Sequence, residues 1–124
     1  MLEISDERFS ELVSEAIDAI GQEHAPHMDN VAFTIADVPT RLQAMKAGMR
    51  HGWLLLGLYE GIPKTKRGNN YSGVLPDKIT IFKLPLLSIS RDEDDLRNRV
   101  KNTVWHEVAH HFGLDHHDIA ERER

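Results

Sequence analysis

Five of the eight histidines in this 124-residue chain fall between His106 and His117. Residues 106–116 read HEVAHHFGLDH and contain the pattern H-E-x-x-H-x-x-G-x-x-H. Each position has a chemical use. His106 and His110 are four residues apart, so on a helix they share a face about one turn, roughly 6 Å, apart. Two imidazoles so placed can reach one zinc ion at about 2.0–2.1 Å each. Glu107 lies beside His106 but turned from it, so it can take the proton of a water on the metal without binding the metal itself. His116 explains the glycine. Six residues past His110, a continuing helix would carry it about 240° around the axis. Gly113 can take the left-handed conformation that leads the chain out of the helix and returns His116 to the ion. Three neutral imidazoles leave a fourth tetrahedral position open for water, as in a catalytic zinc site. The expected ligands are therefore His106, His110 and His116. The expected general base is Glu107, and the expected cofactor is one Zn2+ per chain.

Other residues near the motif have a functional and a plain reading. His111 is 100° around from His110 and is expected to be a packed or surface histidine rather than a ligand. Asp115 and His117 flank His116 and read as solvent groups or supports for it. Asp118 can orient a ligand imidazole, or simply be an acid on the exposed tail. Tyr59 and Tyr71 can each donate to a developing oxyanion. Tyr59 reads as a core residue and Tyr71, in a polar segment, as the better donor. Lys64, Lys66 and Arg67 read as a solvated loop, Asn69 and Asn70 as turn formers, and Trp53 and Trp105 as packing residues.

These side chains need elements to hold them. Phe9, Leu12, Val13, Ala16, Ile17 and Ile20 recur at helical spacing, which predicts a helix over 5–21 with Ser5 as N-cap and Gly21 as stop. Val31, Phe33 and Ile35 alternate, which predicts a strand broken by Asp37-Val38-Pro39. Residues 40–52 are mixed. Leu54–Tyr59 reads as a buried strand, 64–73 as a basic loop, and Lys78–Leu84 as a third strand ended by Pro85. Ser90 and Glu93 have capping-box spacing. From there Leu96, Val100, Val104, Val108 and Phe112 repeat every four residues, predicting a helix to about Phe112 that carries the metal motif. The pattern implies an α+β fold in a single domain, 1–124: a small twisted mixed sheet of three or four strands against two principal helices.

Composition narrows the function classes. There is no cysteine, which excludes a disulfide scaffold, a thiol nucleophile and a cysteine-based zinc site. The net charge is −5, which disfavours nucleic acid as a partner. The longest apolar run, Trp53–Tyr59, is far short of the roughly 20 residues of a membrane span. The N-terminus reads MLEISDER, acidic where a signal peptide is basic. The expectation is a soluble, cytoplasmic protein with a peptide or protein substrate, and neither nucleic acid nor membrane as partner.

The motif resembles that of the zincin metallopeptidases, and its glycine and third histidine resemble the metzincin form. Metzincins carry a Met-turn after the third histidine, whereas residues 117–124 contain no methionine. The chain is more similar to the mini-zincins, small bacterial proteins little larger than the zincin N-terminal subdomain. LLLGLYEGIP, LPDKITIFKLPLL and VKNTVWHEVAHHFGLDH carry the resemblance. It implies a minimal zincin-like fold, zinc at His106, His110 and His116, Glu107 as general base, and peptide hydrolysis. Two alternatives stand beside it. One is a zinc-binding structural or partner-binding domain without turnover, which would not require Glu107. The other is a metal-dependent ribonuclease, a family sharing the H-x-x-x-H-x-x-G-x-x-H spacing but usually with glycine where Glu107 stands.

Overall fold

A computed structural model of the chain describes residues 1–24, 31–49, 54–61 and 77–111. Their order is α1 (Asp6–His24), β1 (Val31–Ala36), α2 (Arg41–Lys46), β2 (Gly57–Glu60), β3 (Asp77–Phe82), α3 (Lys83–Ile89) and α4 (Glu93–His111). The result is an α+β fold with a small mixed sheet and two long helices.

Ser5 caps α1, its Oγ accepting the Arg8 N–H at 3.1 Å. The helix then buries Phe9, Leu12, Val13 and Ala16. It runs on through Gly21 to His24, because a glycine stop needs a left-handed backbone and Gly21 does not adopt one. The mixed region after Pro39 contains α2, opened by a capping box in which Thr40 and Gln43 satisfy each other's backbone N–H groups.

The strand order is β1-β3-β2. β1 pairs with β3 in parallel, from Val31↔Asp77 to Ala36↔Phe82. β2 pairs antiparallel, from Gly57↔Ile81 to Glu60↔Lys78. β3 is thus central, and its Ile79, Ile81 and Phe82 are wholly buried. The apolar run before Tyr59 is longer than the strand it yields: pairing starts at Gly57, and Leu54 is half exposed.

Two expectations are corrected. The third strand does not reach Leu84. It ends at Phe82 and passes straight into α3, with Pro85 in the first helical turn. A proline is tolerated there because the N–H it lacks has no intrahelical acceptor in any case. Nor does Ser90 open the last helix. Asp92 does, its Oδ1 accepting the Asp95 N–H at 2.8 Å, while the Ser90 hydroxyl donates to Leu86 O at 2.7 Å.

α4 buries Leu96, Val100, Val104 and Val108 in one core with the apolar face of α1 and with Ile79 and Ile81. Polar ties at the rim add Arg8 to Glu93 at 2.8 Å and Lys83 to Asp6 at 2.5 Å. Both involve exposed partners and contribute little beside the buried apolar surface.

Candidate metal centre

The site grows from two neighbouring faces of α4. Thr103, Glu107 and His111 lie four residues apart and are all buried. This face packs on β2. A Cβ placed on Gly57 would come within 2.8 Å of Thr103 Cγ2 and 3.2 Å of Glu107 Cγ, so glycine is what lets the strand come this close. Two residues along, the Tyr59 N–H donates to Glu107 Oε1 at 2.9 Å. The Tyr59 ring meets the His111 ring edge to face, with centroids 5.9 Å apart.

The adjacent face carries His106 and His110, both half buried, with ring centroids 4.9 Å apart. One ligand atom each from His106, Glu107 and His110 lie within 4.8 Å of one another. Two donors on one tetrahedral zinc stand about 3.3 Å apart, so small side-chain rotations would close these groups on an ion. Two imidazoles beside a carboxylate suit zinc in donor type. The third expected ligand, His116, lies outside the described residues. So do Gly113, Asp115, His117, Asp118, Tyr71, Trp53, Lys64, Lys66, Arg67, Asn69 and Asn70.

Glu107 is 7% exposed. Burial pushes its carboxyl from 4.5 up to about 7, against the Tyr59 N–H, which pulls it down. A raised carboxyl favours the folded state most when protonated. Its contribution is complete below about pH 4.5 and is lost as pH rises through about 7, an effect on the order of 3 kcal/mol. The metal-free protein should therefore melt at lower temperature at pH 8 than at pH 5. Glu107→Gln should flatten this difference. Parallel melting curves for the two proteins across that range would show that ionising Glu107 costs nothing.

His111 is packed, as its position relative to His110 suggests, and fully buried. Its Nδ1 is 2.8 Å from Asp77 Oδ2. The Tyr59 hydroxyl donates to the same oxygen at 2.6 Å, which commits it to Asp77 rather than to an oxyanion. Asp77 is the residue that sequence reasoning missed. An acid just before an alternating apolar run reads as a turn residue, and no local signal marks it as the buried partner of a histidine 34 positions on.

A comparison with curated proteins finds no match for the chain. A family model described as zincin-like metallopeptidase matches residues 28–124, the stretch that holds all three described strands, α4 and the H-E-x-x-H sequence. The chain belongs to the zincin-like metallopeptidase family.

Proposed function

We propose that the protein is a zinc-dependent peptidase that hydrolyses peptide bonds in an extended protein or peptide substrate. His106, His110 and His116 hold the ion, and Glu107 is the general base. The observation that carries this reading is the Glu107 carboxylate, buried beside two half-buried imidazoles and anchored by the Tyr59 N–H. When bound, zinc supplies Lewis-acid polarisation of the scissile carbonyl and acidifies the attacking water. Glu107 accepts the proton of that water and delivers it to the leaving amine. β3 is central, which leaves β2 as the strand beside α4 that an extended substrate can join through main-chain hydrogen bonds.

The test is zinc loading followed by incubation with a panel of unfolded proteins. Expected are about one zinc per chain and cleavage that stops on chelation and returns with zinc. Loading that leaves under about 0.1 zinc per chain would overturn the metal site. Full zinc with no cleavage across the panel would overturn the catalytic reading and leave the ion a structural role.

A further inference from the structure

Glu107 and the last described turn of α4 are joined through a polar chain that is part-buried at Tyr59 and buried at Asp77 and His111. Glu107 Oε1 accepts from the backbone N–H of Tyr59 at 2.9 Å. The hydroxyl of the same tyrosine donates to Asp77 Oδ2 at 2.6 Å, and that oxygen is 2.8 Å from His111 Nδ1. His111 lies one helical turn beyond Glu107, on the same face of α4. Tyr59 therefore touches α4 twice, by its main chain at Glu107 and by its side chain, through Asp77, at His111. Asp77 and His111 are 2% and 0% exposed. A carboxylate so far from water is costly unless hydrogen-bonded, and here two partners converge on one of its oxygens. Gly61, the residue that follows β2, also lies against it: a Cβ there would stand 2.5 Å from Asp77 Cγ. The carboxylate has little room to move, so it can act as a fixed post.

We propose that Tyr59, Asp77 and His111 form a positioning unit that locks β2 against α4 and so holds the Tyr59 N–H, and with it the Glu107 carboxylate, where the proton transfer needs them. No side chain of the three touches the reacting atoms; the one contact with the base is the Tyr59 main-chain N–H. They act through Glu107 and through the last described turn of α4, which also carries His110. The inference rests on the peptidase reading for its effect on rate, but not for its effect on geometry. The distinction matters because a general base displaced by about 1 Å can lose as much as 10²-fold in rate while binding its substrate unchanged.

The experiment uses the full chain, zinc-loaded for kinetics and metal-free for hydrogen exchange. Tyr59→Phe removes one oxygen, keeps the ring against His111 and leaves the main-chain N–H in place. Asp77→Asn keeps the shape of the post and changes its hydrogen bonding, and serves as the second variant. In Tyr59→Phe, kcat should fall about tenfold with KM within about twofold and zinc content unchanged. Amide exchange at position 59 should quicken about tenfold relative to Leu58 and Glu60, its neighbours in the same strand. Asp77→Asn should move both readouts the same way. A contact that serves only stability would instead lower the melting temperature, quicken all three amides in step and leave kcat alone, and that pattern overturns the proposal. If the wild type cleaves no substrate, the peptidase reading fails by itself. Exchange at position 59 then decides the positioning unit: a selective change upholds it, and a uniform change or none overturns it.

Discussion

Glu107→Gln should keep its zinc and lose hydrolysis, falling by roughly 10²–10⁴-fold at matched metal content. That is about 3–5 kcal/mol of barrier. Glutamine has nearly the shape of glutamate, and its amide oxygen can still accept the Tyr59 N–H that now reaches Glu107 Oε1 at 2.9 Å. What it cannot do is take a proton from the attacking water. The variant therefore separates two roles that the cluster of His106, Glu107 and His110 allows. If Glu107 is the base, zinc content holds and turnover collapses. If Glu107 is a ligand, zinc itself is lost. Equal cleavage by wild type and variant would show the assigned role to be wrong. The replacement should not unfold the protein, since it removes a carboxyl whose burial already disfavours ionisation.

The long helices were legible because each satisfies one repeating rule. Phe9, Leu12, Val13 and Ala16 on α1 and Leu96, Val100, Val104 and Val108 on α4 recur at intervals that bring them to one side, and all eight are buried. The alternation in β1 and β3 was legible for the same reason at period two. Short elements have too few residues to repeat anything. The six residues of α2 bury no side chain, so no apolar stripe announces them. α3 buries Leu86 and Leu87 but starts directly from a strand, and Pro85 reads as a break when it is in fact a first-turn residue. Ser90 and Asp92 are both competent caps. Which one the helix uses depends on where α3 ends, and that is a matter of tertiary packing.

The candidate site divides in the same way. His106, Glu107 and His110 are close in sequence, and helical geometry alone puts them within reach of one another. The groups that support them are not close. Tyr59, Asp77 and His111 come from β2, β3 and α4, separated by 18 and 34 positions. Nothing in the vicinity of Asp77 distinguishes it from an acid in a turn. It becomes a buried partner because β3 is the middle strand and α4 covers its start, both of which depend on how the elements assemble. The candidate motif was therefore readable from a short window, and the network beside it only from the folded chain.

Gly57→Ala should damage both stability and rate, because a single methyl group enters the tightest point between β2 and α4. The new carbon would stand 2.8 Å from Thr103 Cγ2, 3.2 Å from Glu107 Cγ and 3.3 Å from the carbonyl oxygen of Thr80. None of these yields easily. The Thr103 hydroxyl is tied to Arg99 O at 2.8 Å, which holds the methyl where it is. Thr80 O is main chain in the central strand. The strand must therefore move away from the helix or Thr103 must turn, and overpacking of this kind costs about 1–3 kcal/mol. Movement of β2 carries Tyr59 with it, two residues along, and lengthens its N–H contact to Glu107. A misplacement near 1 Å at the base can cost as much as 10²-fold in rate, so turnover should fall further than the loss of folded protein explains. Thr103→Ser removes the methyl that the new carbon strikes first and keeps the hydroxyl. Combined with Gly57→Ala, it should recover part of the melting temperature and part of the rate, a coupling that two independent lesions would not show. If Gly57→Ala melts like the wild type and cleaves within twofold of it, the close approach of β2 to α4 is not what holds Glu107 in place.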